Sequence, residues 1–315
     1  MRRPVLQDLS PFARIVFVVV LVIASFLAVF LPGILLVKPL FHVDLLSDFN
    51  ILDNLGDPVT VMLLKYLQVL QDLALFLIPP LLASFLFSPE PARFLGLKQK
   101  SGVRIYLLVL LIMFACLPFL NWTVTVNEAM KLPGFLKGVE QWMMDAEDQA
   151  ARLTDVFLKS ETFGGFAFSL LMIAILPAIG EELFFRGLLQ RLFRDWLKNP
   201  HVAIVLVAVI FGIFHLQFYG ILPRILLGLL LGYLYYWSGS LWVPVFAHFL
   251  NNGSAVVISF LADRGLISVT YEKFGATDNA FLIAGSAVLT GLLIWGVLKS
   301  SRSFPPGNGP FPHPE

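Results

Sequence analysis

Apolar residues along this chain gather into long blocks rather than into the narrow stripe of a soluble amphipathic helix. Blocks approaching the roughly 20 residues that cross a bilayer core run over about 14–37, 59–87, 103–122, 164–190, 202–219, 221–238, 241–261 and 279–298. This pattern predicts an all-α, polytopic membrane bundle of about eight transmembrane helices. The fifth and sixth blocks are parted only by "FYGILPR", where Gly220 and Pro223 predict a tight turn.

The polar stretches between the blocks alternate in sign. Residues 1–14 are basic, as are 88–104, with Arg93, Lys98, Lys100 and Arg104, and the end of the fourth block, with Arg186, Arg191, Arg194 and Lys198. Residues 38–57 carry Asp44, Asp48, Asp53 and Asp57, and 123–162 are acid-rich. The positive-inside rule then puts the N-terminus in the cytoplasm, and an even number of spans returns the C-terminus there, beside Lys299 and Arg302. Within 123–162, apolar spacing at Leu136, Val139, Trp142, Met143 and Ala146 predicts a helix. It either lies on the outer membrane surface or packs as a solvated loop helix on the bundle. The tail from 301 to 315 is rich in Pro and Gly and reads as disordered.

Composition agrees with the pattern. The chain has 315 residues, 58% of them hydrophobic and only 14% charged, against about a quarter charged in soluble domains. A net charge of +1 speaks against a nucleic-acid partner. The single cysteine, Cys116, rules out an intramolecular disulfide and sits in an apolar run. Arg2 and Arg3 precede an apolar block long enough to span and without a small-residue cleavage site, so it reads as a first span rather than a removed signal peptide.

Ionisable side chains inside spans are costly and mark function by default. Lys65 and Asp72 share a face of the second span with Gln68, a pattern that suits either a wet cavity or attachment to a neighbour. In the fourth span, Glu182 and Arg186 stand four apart and can pair along one face. Glu181 is rotated about 100° from that face and is left free to act as a base or acid. Pro177, one turn earlier, frees a carbonyl or kinks the helix. His215 follows Phe211 by one turn, and His248 shares a face with Asn252. A carboxylate, two imidazoles and an amide form a set able to activate water and hold an oxyanion, which is what amide hydrolysis requires.

Three motifs now stand in order: "EELFFR" at 181–186, "FGIFH" at 211–215 and "HFLNN" at 248–252. They match EExxxR, FxxxH and HxxxN, and the chain resembles the CPBP intramembrane protease family, which includes the type II CAAX prenyl endopeptidases. The resemblance covers about residues 160–255. It implies a catalytic core over 161–261, flanked by N-terminal spans within 1–160 and a last span within 262–300. It also implies that Glu181 is the general base, that His215 positions the water, and that His248 and Asn252 stabilise the oxyanion. Glu182 and Arg186 would support the helix and orient Glu181, and Phe211 would form cavity wall.

The resemblance favours a metal-free mechanism without cofactor. If Zn²⁺ were used, Glu181, His215 and His248 would be its ligands, although no HExxH is present and Asn252 is a poor zinc ligand. The expected partners are membrane lipids and a peptide or protein substrate, in the plasma (inner) membrane if the source is bacterial. No GxSG serine motif appears, and "NLGDP" at 54–58 is not the GxGD of intramembrane aspartyl proteases. Two other readings use the same residues: a proton-coupled transporter with Glu181 as its protonatable group, and a non-catalytic, immunity-type membrane scaffold. For Glu181 and His215 to meet, the fourth helix is expected to run past 190 and the fifth beyond 215 towards Pro223.

Overall fold

The computed structural model describes residues 4–45, 47, 49–160 and 162–301. The disordered tail expected over 301–315 therefore lies, after Ser301, outside the described residues. The chain forms α1 (Pro11–Phe41), α2 (Pro58–Phe87), α3 (Val103–Ala115), α4 (Leu117–Glu128) and α5 (Lys137–Leu158). It continues with α6 (Phe163–Leu197), α7 (Pro200–Phe214), α8 (Ile221–Ser238), α9 (Trp242–Asp263) and α10 (Ala280–Ser301). Among the described residues there is no strand. The protein is an integral, multi-pass membrane protein. Six helices are long and apolar enough to cross a bilayer, and α3 with α4 makes a seventh when the bent pair is counted as one span. Their outward faces, such as Val16, Val20, Ile23 and Leu27 on α1 and Val288, Leu292 and Trp295 on α10, are exposed apolar side chains suited to acyl chains.

Two of the expected spans take a different form. The third block is not one straight helix but bends by 45° between α3 and α4. Pro118, at the start of α4, cannot donate to the preceding turn. The fifth block stops at Phe214, after 15 residues, and does not extend towards Pro223. His215 caps it, Leu216 takes a left-handed φ of 53°, and a short 3-10 turn over Phe218–Gly220 leads into α8. The fourth block does continue past 190, giving α6 a length of 35 residues.

The helix starts are written in the sequence. Ser10, Asp57, Thr162 and Asn199 each accept a hydrogen bond from a first-turn N–H, and proline occupies the first helical turn after Ser10, Asp57 and Asn199. The interiors are less regular. α2 widens into a π segment at Leu73–Leu77, just before Pro79 and Pro80. α6 does so at Leu170–Ile175, just before Pro177, and again at Leu183–Gln190. A proline removes a donor and crowds the carbonyl four residues back, and a π turn is one way to absorb that defect.

Glycine sets how closely the central helices approach. A Cβ on Gly228 would meet the Ala208 Cα at 3.1 Å, one on Gly232 the Ile204 Cγ2 at 2.9 Å, and one on Gly212 the Ile225 Cγ1 at 2.6 Å. α7 and α8 thus pack backbone to backbone, as small residues allow in membranes. α5 lies over the segment that joins them. Trp142 meets the Phe218 ring at 5.2 Å, and Glu147 accepts from the Tyr219 N–H at 3.1 Å.

Candidate active site

The middle of α6 carries the first motif. Residues 180–190 are all buried, and Glu181 and Glu182 stand immediately before the long π segment. Glu182 and Arg186 form the expected pair at 2.8 Å, both side chains fully buried. Removing two charges from solvent is costly unless further bonds are made. Here Arg186 Nη2 also donates to Gly228 O at 3.1 Å, and the guanidinium lies 4.7 Å from the centre of the Phe211 ring. One turn on, Gln190 Nε2 donates to Gly232 O at 3.1 Å. Two glycines one turn apart on α8 leave their carbonyls open to two polar side chains one turn apart on α6.

Glu182 has a second partner across the bundle. His248 Nδ1, on α9, lies 2.9 Å from Glu182 Oε1. A carboxylate at that nitrogen makes Nδ1 the donor and leaves Nε2 for other work. His248 Nε2 is 3.3 Å from Asn252 Nδ2, on the next turn of α9. The Asn252 amide is oriented from both ends: Nδ2 donates to Ile173 O at 3.0 Å, and Oδ1 accepts from Asn251 Nδ2 at 3.0 Å. Ile173 lies in the π segment of α6 that precedes Pro177, so this bond ties α9 to the distorted turn of α6.

Glu181 differs from its neighbour. It is 9% exposed, and its Oε2 atom, like Glu182 Oε2, is buried without a hydrogen-bond partner, while the Arg186 and His248 bonds both go to Glu182 Oε1. It interacts electrostatically with His215, with Arg186 and with Asp72 of α2. His215 caps α7 with its Nδ1–H donating to Phe211 O at 2.8 Å, which fixes Nε2 as the free nitrogen. The Phe211 ring stands 4.8 Å from His215 and 6.0 Å from His248, between the two imidazoles.

Glu181 and His215 lie within electrostatic reach of each other although α7 is short. α6 and α7 are joined by a tight turn at Lys198, with φ 56°, and Asn199. Counting back from Leu197, Glu181 is about 24 Å up α6, and His215 is about 22 Å up α7 from Pro200, at 1.5 Å per residue. The two are level because both helices start from the same turn. The expected extension of the fifth helix is therefore unnecessary.

The joining segment after His215 is held by residues outside the three motifs. Asn127, at the end of α4, donates to Phe218 O at 2.9 Å and accepts from the Leu222 N–H at 2.8 Å. Arg224 bonds the Gln217 side chain, and Glu147 holds the Tyr219 amide. Asn127 stands at the end of a span and Glu147 on a loop helix, so neither forms a local motif. "GLLLG" at 228–232 does carry a signal, since two glycines four apart on an apolar helix mark close packing.

Among the described residues, no three His, Cys, Asp or Glu side chains are grouped to hold a metal ion. The alternative ligand set Glu181, His215 and His248 is not among such groups.

Acid, imidazole and amide gathered inside a polytopic helical bundle are the equipment of an intramembrane endopeptidase. Residues 163–254 match the family model described as "Type II CAAX prenyl endopeptidase Rce1-like", so this part of the chain is similar to that family. The match spans all three motifs. No curated protein and no solved structure matches the chain.

Proposed function

We propose that this endopeptidase hydrolyses a peptide bond in a membrane-associated or lipid-tethered substrate, with Glu181 as the general base. The observation that carries the reading is the unpartnered, buried Glu181 Oε2 beside His215, with the His248–Asn252 nitrogen pair held on the facing helix. Water loses a proton to Glu181 as its oxygen attacks the carbonyl carbon. His215, its Nε2 free, orients that water. The developing oxyanion lies against Asn252 Nδ2–H and against His248, which donates from Nε2 as an imidazolium whose Nδ1–H stays on Glu182. Glu181 then gives the proton to the leaving nitrogen. Glu182 and Arg186 do not touch the reacting atoms in this scheme; Glu182 fixes the imidazole of His248, and Arg186 neutralises Glu182.

The Glu182–His248 bond favours a second assignment within the same reaction. A carboxylate at Nδ1 also makes a neutral His248 Nε2 basic, so His248 rather than Glu181 would take the proton. One comparison separates the two. In membranes or nanodiscs, cleavage of a quenched fluorogenic peptide ending in a farnesylated CAAX sequence is measured for wild type and Glu181→Gln. With Glu181 as base, the variant loses about 10²–10⁴-fold in kcat. Retained cleavage would move the base to His248. Solute flux into proteoliposomes that Glu181→Gln abolishes, with no peptide cleaved by wild type, would instead favour the transporter reading.

A further inference from the structure

The N-terminal helices bring a third carboxyl to the site. Asp72 on α2 is 2% exposed, its Oδ1 accepts from Gln68 Nε2 at 3.1 Å, and its Oδ2 is buried without a partner. It stands where α2 switches into the π segment Leu73–Leu77, a distortion often found at functional sites. The two helices touch one turn further on. A Cβ on Gly180 would meet the Phe76 Cβ at 3.2 Å and the Phe76 carbonyl carbon at 3.7 Å. Gly180 is the residue before Glu181, and Phe76 is one turn after Asp72. A side chain at 180 would push apart the helices that carry the two acids.

Asp72 and Glu181 therefore face one another electrostatically, and each keeps one oxygen that is buried and unbonded. Two such carboxylates cannot both be ionised at low cost, and two unbonded acceptors are each expensive. One proton between them removes both penalties. The other groups acting on the pair are Gln68 on α2, Arg186 on α6 and His215 on α7, which in turn feels His248 and Arg224. From α1, the Ser25 hydroxyl reaches Ala74 O in the π segment. Lys65 stands two turns before Asp72 on α2.

We propose that Asp72 is a positioning residue of the proteolytic centre, forming with Glu181 a carboxyl pair that holds a single proton. This rests on the reading of Glu181 as general base. In the resting pair the Asp72 O–H donates to the Glu181 carboxylate and aims it. When Glu181 takes the water proton and returns it to the leaving nitrogen, the Asp72 proton stays within the pair, so none is consumed.

The test uses the full chain in nanodiscs and infrared spectroscopy of the carboxylic-acid C=O stretch, across pH, for wild type, Asp72→Asn and Glu181→Gln. At neutral pH the wild type should show a band that Asp72→Asn removes. In Glu181→Gln the neighbouring charge is gone, and that band should vanish at a pH different from wild type by about one unit or more. No such band in wild type, or one that vanishes at the same pH in Glu181→Gln, overturns the pair. The comparison of wild type with Glu181→Gln requires no cleavage and no folding of the Asp72 variant. In the farnesylated-peptide assay, Asp72→Asn should lower kcat about tenfold and displace the acid limb of the pH profile, with KM changed by less than about twofold. A merely structural Asp72 would reduce the amount of folded enzyme and leave the shape of the profile unmoved. If Glu181→Gln cleaves normally while the band shifts, the base assignment fails and the coupling stands. If Glu181→Gln is dead and the band does not shift, the pair fails and the base assignment stands.

Discussion

Glu181 and Glu182 are adjacent in sequence and opposite in circumstance. Each acid keeps an unbonded, buried Oε2, but Glu182 Oε1 is bonded to Arg186 and to His248 Nδ1, whereas neither of those bonds reaches Glu181. One residue of helical rotation, about 100°, divides them. Glu182→Gln should therefore act first on the fold, because it leaves the fully buried Arg186 without its counter-charge. Breaking one member of a buried pair costs about 3–5 kcal/mol. Thermal unfolding in detergent should show a clearly lowered Tm, and Glu182→Gln/Arg186→Leu should be less damaged than Glu182→Gln alone. A single variant as stable as wild type would mean the pair does not hold α6. The Glu182–Arg186 pairing was legible from a spacing of four. The His248 bond was not, because no local pattern encodes which carboxylate a distant imidazole meets.

At the scale of helices, glycine and proline decide what can converge. The block pattern locates the helices well, since about 20 consecutive apolar residues have few alternatives to spanning. It does not place the end of α7 at Phe214, where Asn127 and Glu147 bond the chain after His215, and it runs through the bend at Cys116, which falls beside Pro118. Pro177 is intermediate: a distortion of the helix beside it could be foreseen, but not that Asn252 would bond the Ile173 carbonyl there. The α7–α8 contact yields a paired prediction. Gly228→Leu places a side chain against the Ala208 backbone and should abolish cleavage with a fall in Tm. Gly291→Leu, on α10 where a Cβ meets nothing within 4 Å, should leave both within about twofold and a degree or two. Equal effects from the two would refute the close-packing account.

Across the whole molecule, the chain uses its N-terminal half for more than anchorage. The resemblance to the protease family stops near residue 160, and the family match begins at 163, yet Asp72 from α2 faces Glu181 and Asn127 from α4 holds the segment behind His215. Three-dimensional convergence of this sort leaves no trace in spacing, and so these positions were invisible or ambiguous along the sequence. The central claim is that Glu181, His215, His248 and Asn252 act as one centre. Residues that work as a unit lose activity non-additively. The direct measurement is kcat/KM on the farnesylated peptide for Glu181→Gln, His215→Ala, His248→Ala, Asn252→Ala and all four together. The account predicts that Glu181→Gln alone loses nearly as much as the quadruple variant. Losses that simply multiply, or a quadruple variant that still cleaves at the wild-type rate, would contradict it.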